Sequence, residues 1–208
     1  MLGKMQQVIA VTPPVELAKQ LPIMEDENKI IAMKIMANTL PAAFQLNPPI
    51  YLFLQLIMFE MTIEHGISNA SCKGFAECGI AQSLVFSNYE AAYQFGLASF
   101  TILDRLKAEA MRSGAYFLFA SFISYWKTHY SESIEYFDLS IKIGLENGDI
   151  IHPSYSAIHK FNYTLNTGKN LNACKIELEK VDKFLINNNA MLLSAYSEYF
   201  RYMINQLQ

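Results

Sequence analysis

Asn88–Leu106 reads NYEAAYQFGLASFTILDRL, and its spacing decides the fold. Ala92, Phe95, Ser99, Ile102, Leu103 and Leu106 recur at steps of three and four. On a helix they form one stripe, whereas a strand would scatter them over both faces. The residues just before supply a start signal. Ser87-Asn88-Tyr89-Glu90 has the capping-box form, in which Ser87 covers a backbone amide and Glu90 reaches back.

Outward from this segment the same periodicity continues and strand-like alternation is missing. Asn47 followed by Pro48 and Pro49 marks another start, since proline fits the first helical turn. Asn147-Gly148-Asp149 reads as a stop followed by a start, with Gly148 in the left-handed C′ position and Asp149 capping the next helix. Helices are expected near 26–40, 49–65, 69–86, 88–106, 108–127, 131–147, 150–166, 170–186 and 190–206, after a short N-terminal one. Connections this short predict antiparallel neighbours.

The breaks at Ser87, Thr128 and Gly168 are spaced by 41 and 40 residues, the length of a helix pair in a solenoid. NYEAAYQFG and KNLNACKIELEKV both echo the second helix of such a unit. The expected fold is therefore all-α: antiparallel helical hairpins stacked as a tetratricopeptide-like α-solenoid. Residues 1–14 form an N-terminal tail in this reading, and 15–208 a single helical-repeat domain. Gly79, Gly96 and Gly144 fall inside expected helices, where each costs about 1 kcal/mol relative to alanine. Close approach of a neighbouring helix is the expected reason.

Composition narrows the function. Of the 208 residues 52% are hydrophobic and 17% charged, so there is ample side-chain surface to bury and disorder is not expected. A net charge of -3 without a Lys/Arg cluster argues against nucleic acid. Three cysteines, Cys72, Cys78 and Cys174, lack zinc-like spacing and read as reduced, packed thiols of a cytoplasmic protein. The uncharged stretch from Ile35 to Phe59 is interrupted by Asn38, Pro41, Asn47, Pro48, Pro49 and Gln55, so no membrane insertion is expected.

Chemistry is hard to find. The pairs Gly3-Lys4 and Gly168-Lys169 lack the upstream glycine and the Ser/Thr of a P-loop, and there is no nucleophile elbow, kinase catalytic loop or dinucleotide-binding glycine set. His152 and His159 stand seven residues apart, roughly 10 Å along a helix, too far to share one metal. Glu25, Asp26 and Glu27 read as a solvated helix start. No enzyme activity, cofactor or metal is expected. GAYFLFASFISYW, Gly114 to Trp126, reads as a central buried helix, with Tyr125 and Trp126 at its end as candidate binding anchors.

These residues also carry a resemblance. Gly66 to Gly96, GISNASCKGFAECGIAQSLVFSNYEAAYQFG, resembles the helical-repeat segment of large bacterial signalling proteins. Those join a serine/threonine-kinase-like domain, a P-loop ATPase, this helical region, a GAF sensor and a histidine kinase. The family pattern has a small-residue helix containing glycine, matched by Gly79, and then G-D-Y-E-A-G-Y-x-F-G, matched over Ser87–Gly96 with Ser87, Asn88 and Ala92 substituted. Phe119–Ile123, Trp126-Lys127, Gly148-Asp149, Leu21-Pro22 and Pro41-Ala42-Ala43 extend the likeness to roughly residues 15–208. His152-Pro153 replace an aromatic-alanine pair, so that helix is expected to start later or bend.

The resemblance marks Gly66, Gly79, Gly96, Gly148 and Asp149 as structural positions. None of the family's catalytic domains has a counterpart here. It implies a non-catalytic scaffold or regulatory segment whose partners are other proteins or other domains of a signalling protein. The alternative is a small-molecule-sensing domain with a pocket between aromatic helices.

Overall fold

A computed structural model of the chain describes residues 1–190 and 193–207. Among the described residues it has eleven α-helices, one short 3-10 turn and no strand; a single parallel bridge joins Ile23 and Ile67. The all-helical expectation holds. The chain divides into two compact units, Met1–Met111 and Arg112–Gln208.

The first unit contains α1 (Leu2–Val11), α2 (Pro14–Gln20), α3 (Glu27–Leu46), α4 (Pro48–His65), α5 (Asn69–Leu84) and α6 (Tyr89–Leu106). The short N-terminal helix that the sequence suggested is present as α1, within residues 1–14. Met5 is buried, and Lys4 bridges Glu60 and Glu64 of α4, each at 2.6 Å. Asp26 caps α3 by accepting from the amides of Asn28 and Lys29, and Asn47 caps α4 through Ile50. Pro41 does not end α3, which runs on to Leu46.

The α6 cap lies one residue later than the sequence suggested. Ser87 takes a left-handed φ of 52°, and the Asn88 side chain accepts from Ala91 instead. A serine in that conformation cannot cap the helix, so the asparagine does.

At the centre of this unit is α5, buried on every side from Cys72 through Ser83 apart from Lys73. It packs most extensively against α6, and also against α3 and α4. Phe59, Phe75 and Phe95 meet there with ring centroids 5.5–5.8 Å apart. The α2 C-terminus is tied down by Arg105 on α6, whose guanidinium donates to the carbonyls of Ala18 at 2.6 Å and Leu21 at 2.8 Å. Those are carbonyls a helix end leaves without intrahelical donors.

The second unit holds most of α7 (Glu109–Phe122), a 3-10 turn (Ser124–Trp126), α8 (Tyr130–Glu146), α9 (Ile151–Asn166), α10 (Leu171–Asn187) and α11 (Ser194–Gln206). Small polar residues let α7, α8 and α9 approach closely. The hydroxyls of Ser113 and Ser140 each donate to the other's backbone carbonyl, at 2.9 and 2.8 Å, and Ser156 donates to the Ser140 hydroxyl at 2.8 Å. Gly144 lies in the same seam.

A separate cluster forms where α9, α10 and α11 meet, built on Phe161, Leu178, Leu185, Phe200 and Ile204. Pro153 neither delays nor breaks α9, which begins at Ile151. Proline sits in its first turn, where no intrahelical donor is needed.

Candidate functional site

The aromatic segment ending in Trp126 divides in two. Helix α7 stops at Phe122 rather than near 127, and Ser124–Trp126 form the 3-10 turn. Tyr163 of α9 supports this end: its hydroxyl lies 3.2 and 3.1 Å from the carbonyl oxygens of Ala120 and Ser121, the last-turn acceptors of α7. Ser124 is held from the other side by the Ser133 hydroxyl at 2.6 Å.

The end of the helix leaves Trp126 exposed, while Tyr125 stays partly buried against the cluster of Phe117, Phe137 and Tyr163. Trp126 is 39% exposed and its ring lies tilted against Tyr125 at 5.0 Å. Tyr125 in turn lies 6.1 Å from both Tyr130 and Tyr163, and Tyr130 packs edge-on to Tyr163 at 4.7 Å. The result is a four-ring corner, buried at Tyr163 and open at Trp126 and Tyr130. Both predicted anchors are in it. Sequence reasoning missed Tyr130 and Tyr163, although Tyr155, His159 and Tyr163, spaced by four on α9, mark the stripe that faces this cluster.

His159 stands on that stripe, half-buried among Phe117, Phe122 and Phe137, with centroids 5.3, 6.2 and 6.1 Å away. Burial pushes its imidazole down to about 4, so it is neutral at physiological pH. His152 is engaged elsewhere. Its Nδ1 lies 2.6 Å from Asp149 Oδ2, while Asp149 Oδ1 accepts from the amides of Ile151 and His152. Asp149 therefore caps α9, and Gly148 before it has φ +75° with open space around it.

The other marked glycines lie in the first unit. Gly66 has φ +97°, and a Cβ there would come within 2.4 Å of the Pro22 carbonyl oxygen. Gly79 and Gly96 are buried on α5 and α6, the helices that pack together most extensively.

Sequence reasoning passed over Glu77. It is 5% exposed at the centre of α5, and the Tyr51 hydroxyl donates to it in a short hydrogen bond. Burial, followed by this carboxylate, raises the Tyr51 phenol far above its usual range; burial also depresses the Lys73 ammonium. A paired Tyr and Glu could serve acid-base chemistry if substrate reached them, but this pair is sealed within the helix stack. Burial likewise pushes Cys72 up to about 12 and raises Cys78, which leaves both as unreactive thiols. Among the described residues no group of three or more His, Cys, Asp or Glu could hold a metal ion, and no helix is long and apolar enough to cross a membrane.

Comparison with known proteins finds a partial similarity to a signalling protein. The chain is 25% identical over 129 residues to hybrid signal transduction histidine kinase G of Dictyostelium discoideum. The match covers 61% of this chain and 4% of that protein, so the chain corresponds to a small part of it. No family model matches, and no solved structure does either.

Proposed function

We propose that this chain is a non-catalytic helical scaffold or regulatory segment that makes protein–protein or interdomain contacts in signal transduction. The observation that carries the reading is the similarity over 129 residues to a hybrid signal transduction histidine kinase. The finer form, a stacked-hairpin solenoid like the region between the ATPase and GAF/histidine-kinase parts of bacterial sensor kinases, rests on the resemblance in Gly66–Gly96. A rigid, partly exposed aromatic corner supports a contact role, because buried aromatic anchors dominate interface energetics. Its partner in this reading is a protein surface or a neighbouring domain, not nucleic acid.

The test pairs the purified chain with the purified histidine-kinase module of the Dictyostelium relative. Saturable binding, weakened by Trp126→Ala and accompanied by a change in autophosphorylation, is the expected result. The absence of both binding and any effect on autophosphorylation would count against the reading. So would ATP hydrolysis by the chain alone that is lost on mutating one of its own residues.

A further inference from the structure

We propose that the groove between α9 and α11 binds a small, neutral aromatic molecule bearing one hydrogen-bonding N–H or O–H, with His159 as its polar contact. The groove holds about 580 Å³, within the range of small-molecule sites. Ile158, His159 and Asn162 supply one wall and Tyr196, Tyr199 and Met203 the other. The α11 tyrosines are three residues apart, one turn along the helix, and are 53% and 59% exposed. Tyr199 also packs on Phe200 at 5.8 Å, and the exposed remainder of both tyrosine rings offers surface for a planar ligand. Phe161 and Phe200, 5.1 Å apart, lock the two helices together, so the groove is in place before a ligand arrives.

Two observations fix the ligand's chemistry. Among the described residues no Lys, Arg, Asp or Glu lines the groove, so neither an anion nor an ammonium would find a counter-charge there. His159 is the polar feature of interest. Its ring is packed by Phe117 and Phe137, and among the described residues neither ring nitrogen makes a hydrogen bond. His159 is not among the sealed, unpartnered side chains, so a ligand hydrogen bond there would take the place of one to water. Being neutral, it presents one acceptor nitrogen, to which the N–H or O–H of a planar molecule can donate. This inference does not depend on the scaffold reading, and either can fail without the other.

Titration calorimetry of the full chain with indole tests it, with tryptamine and indole-3-acetate as the same ring carrying a positive or a negative charge. Binding of one indole per chain is expected, tighter than either charged analogue. Tyr199→Ser should abolish saturation, and His159→Phe should weaken indole by about tenfold, the loss of one hydrogen bond. Ile176→Ser, an exposed change on α10 outside the groove, should leave binding unaltered. Tyr199 is itself exposed, so its variant keeps the test sound even if the His159 replacement fails to fold. Absence of saturable indole binding, affinity unchanged in either groove variant, or tighter binding of a charged analogue would overturn the proposal.

Discussion

A Cβ at Gly144 would lie 2.4 Å from Pro153 Cγ and 2.6 Å from the Ser113 hydroxyl oxygen, so at the residue scale this glycine is a spacer between helices. Gly144→Ala should lose the ordinary gain of about 1 kcal/mol from helix propensity and cost roughly 1–3 kcal/mol through overpacking. Gly66→Ala should be worse, since it meets a backbone carbonyl and also a positive φ. Gly148→Ala has open space and should cost only the left-handed backbone, about 1–2 kcal/mol. Denaturant melts of the three variants check that order. His159 makes a different prediction. The unfolded imidazole binds its proton near pH 6.5, while the folded one resists to about 4. Stability should therefore be flat above this window and fall as pH drops through it, by up to one proton's slope. The depressed carboxylates Asp26, Glu64 and Asp149 act lower, as pH falls below their ordinary values of 3.8 to 4.5. His159→Phe should flatten the slope between pH 6.5 and 4.5, which chemical denaturation across that range would show.

At the scale of elements, α5 is the unexpected case. Its sequence, NASCKGFAECGIAQSL, has no broad apolar stripe, yet twelve of its 16 residues are buried. Small side chains explain this: serine, cysteine, alanine and glycine let neighbouring helices close in from several sides. Glu77 is tolerated because Tyr51 satisfies it. Gly79 lies inside this packing, so Gly79→Leu should overpack by roughly 1–3 kcal/mol or more. Gly79→Ala should fail to stabilise. A stabilised alanine variant with a neutral leucine variant, measured by urea melts, would remove Gly79 from the packing. Helix α7 is the opposite case. That segment looks like a central helix because it is so aromatic, but Tyr116, Leu118 and Phe122 are only half-buried and the helix stops at Phe122.

For the whole molecule, the two compact units should respond separately to local damage. Phe75 and Phe161 are each almost fully buried, one in each unit. Phe75→Ala should lower amide-exchange protection mainly within residues 1–111, and Phe161→Ala mainly within 112–208. Equal loss across both units in either variant would show that they unfold as one. Far-ultraviolet circular dichroism of the intact chain should show helix with no strand contribution.

The sequence by itself determined the helices and most of their limits, because these depend on local signals: three- and four-residue spacing, Asn47-Pro48-Pro49, Asp26, and Gly148-Asp149. It also placed Tyr125 and Trp126 as candidate anchors. Only the tertiary structure decided what depends on contacts between distant segments. Tyr163 meets the end of α7 across more than forty residues, Arg105 holds α2, and Gly66 makes room for Pro22. The burial of Glu77 and the groove beside His159 belong to the same class. Periodicity shows that a residue faces inward, but not which helix it will meet there or how much space remains.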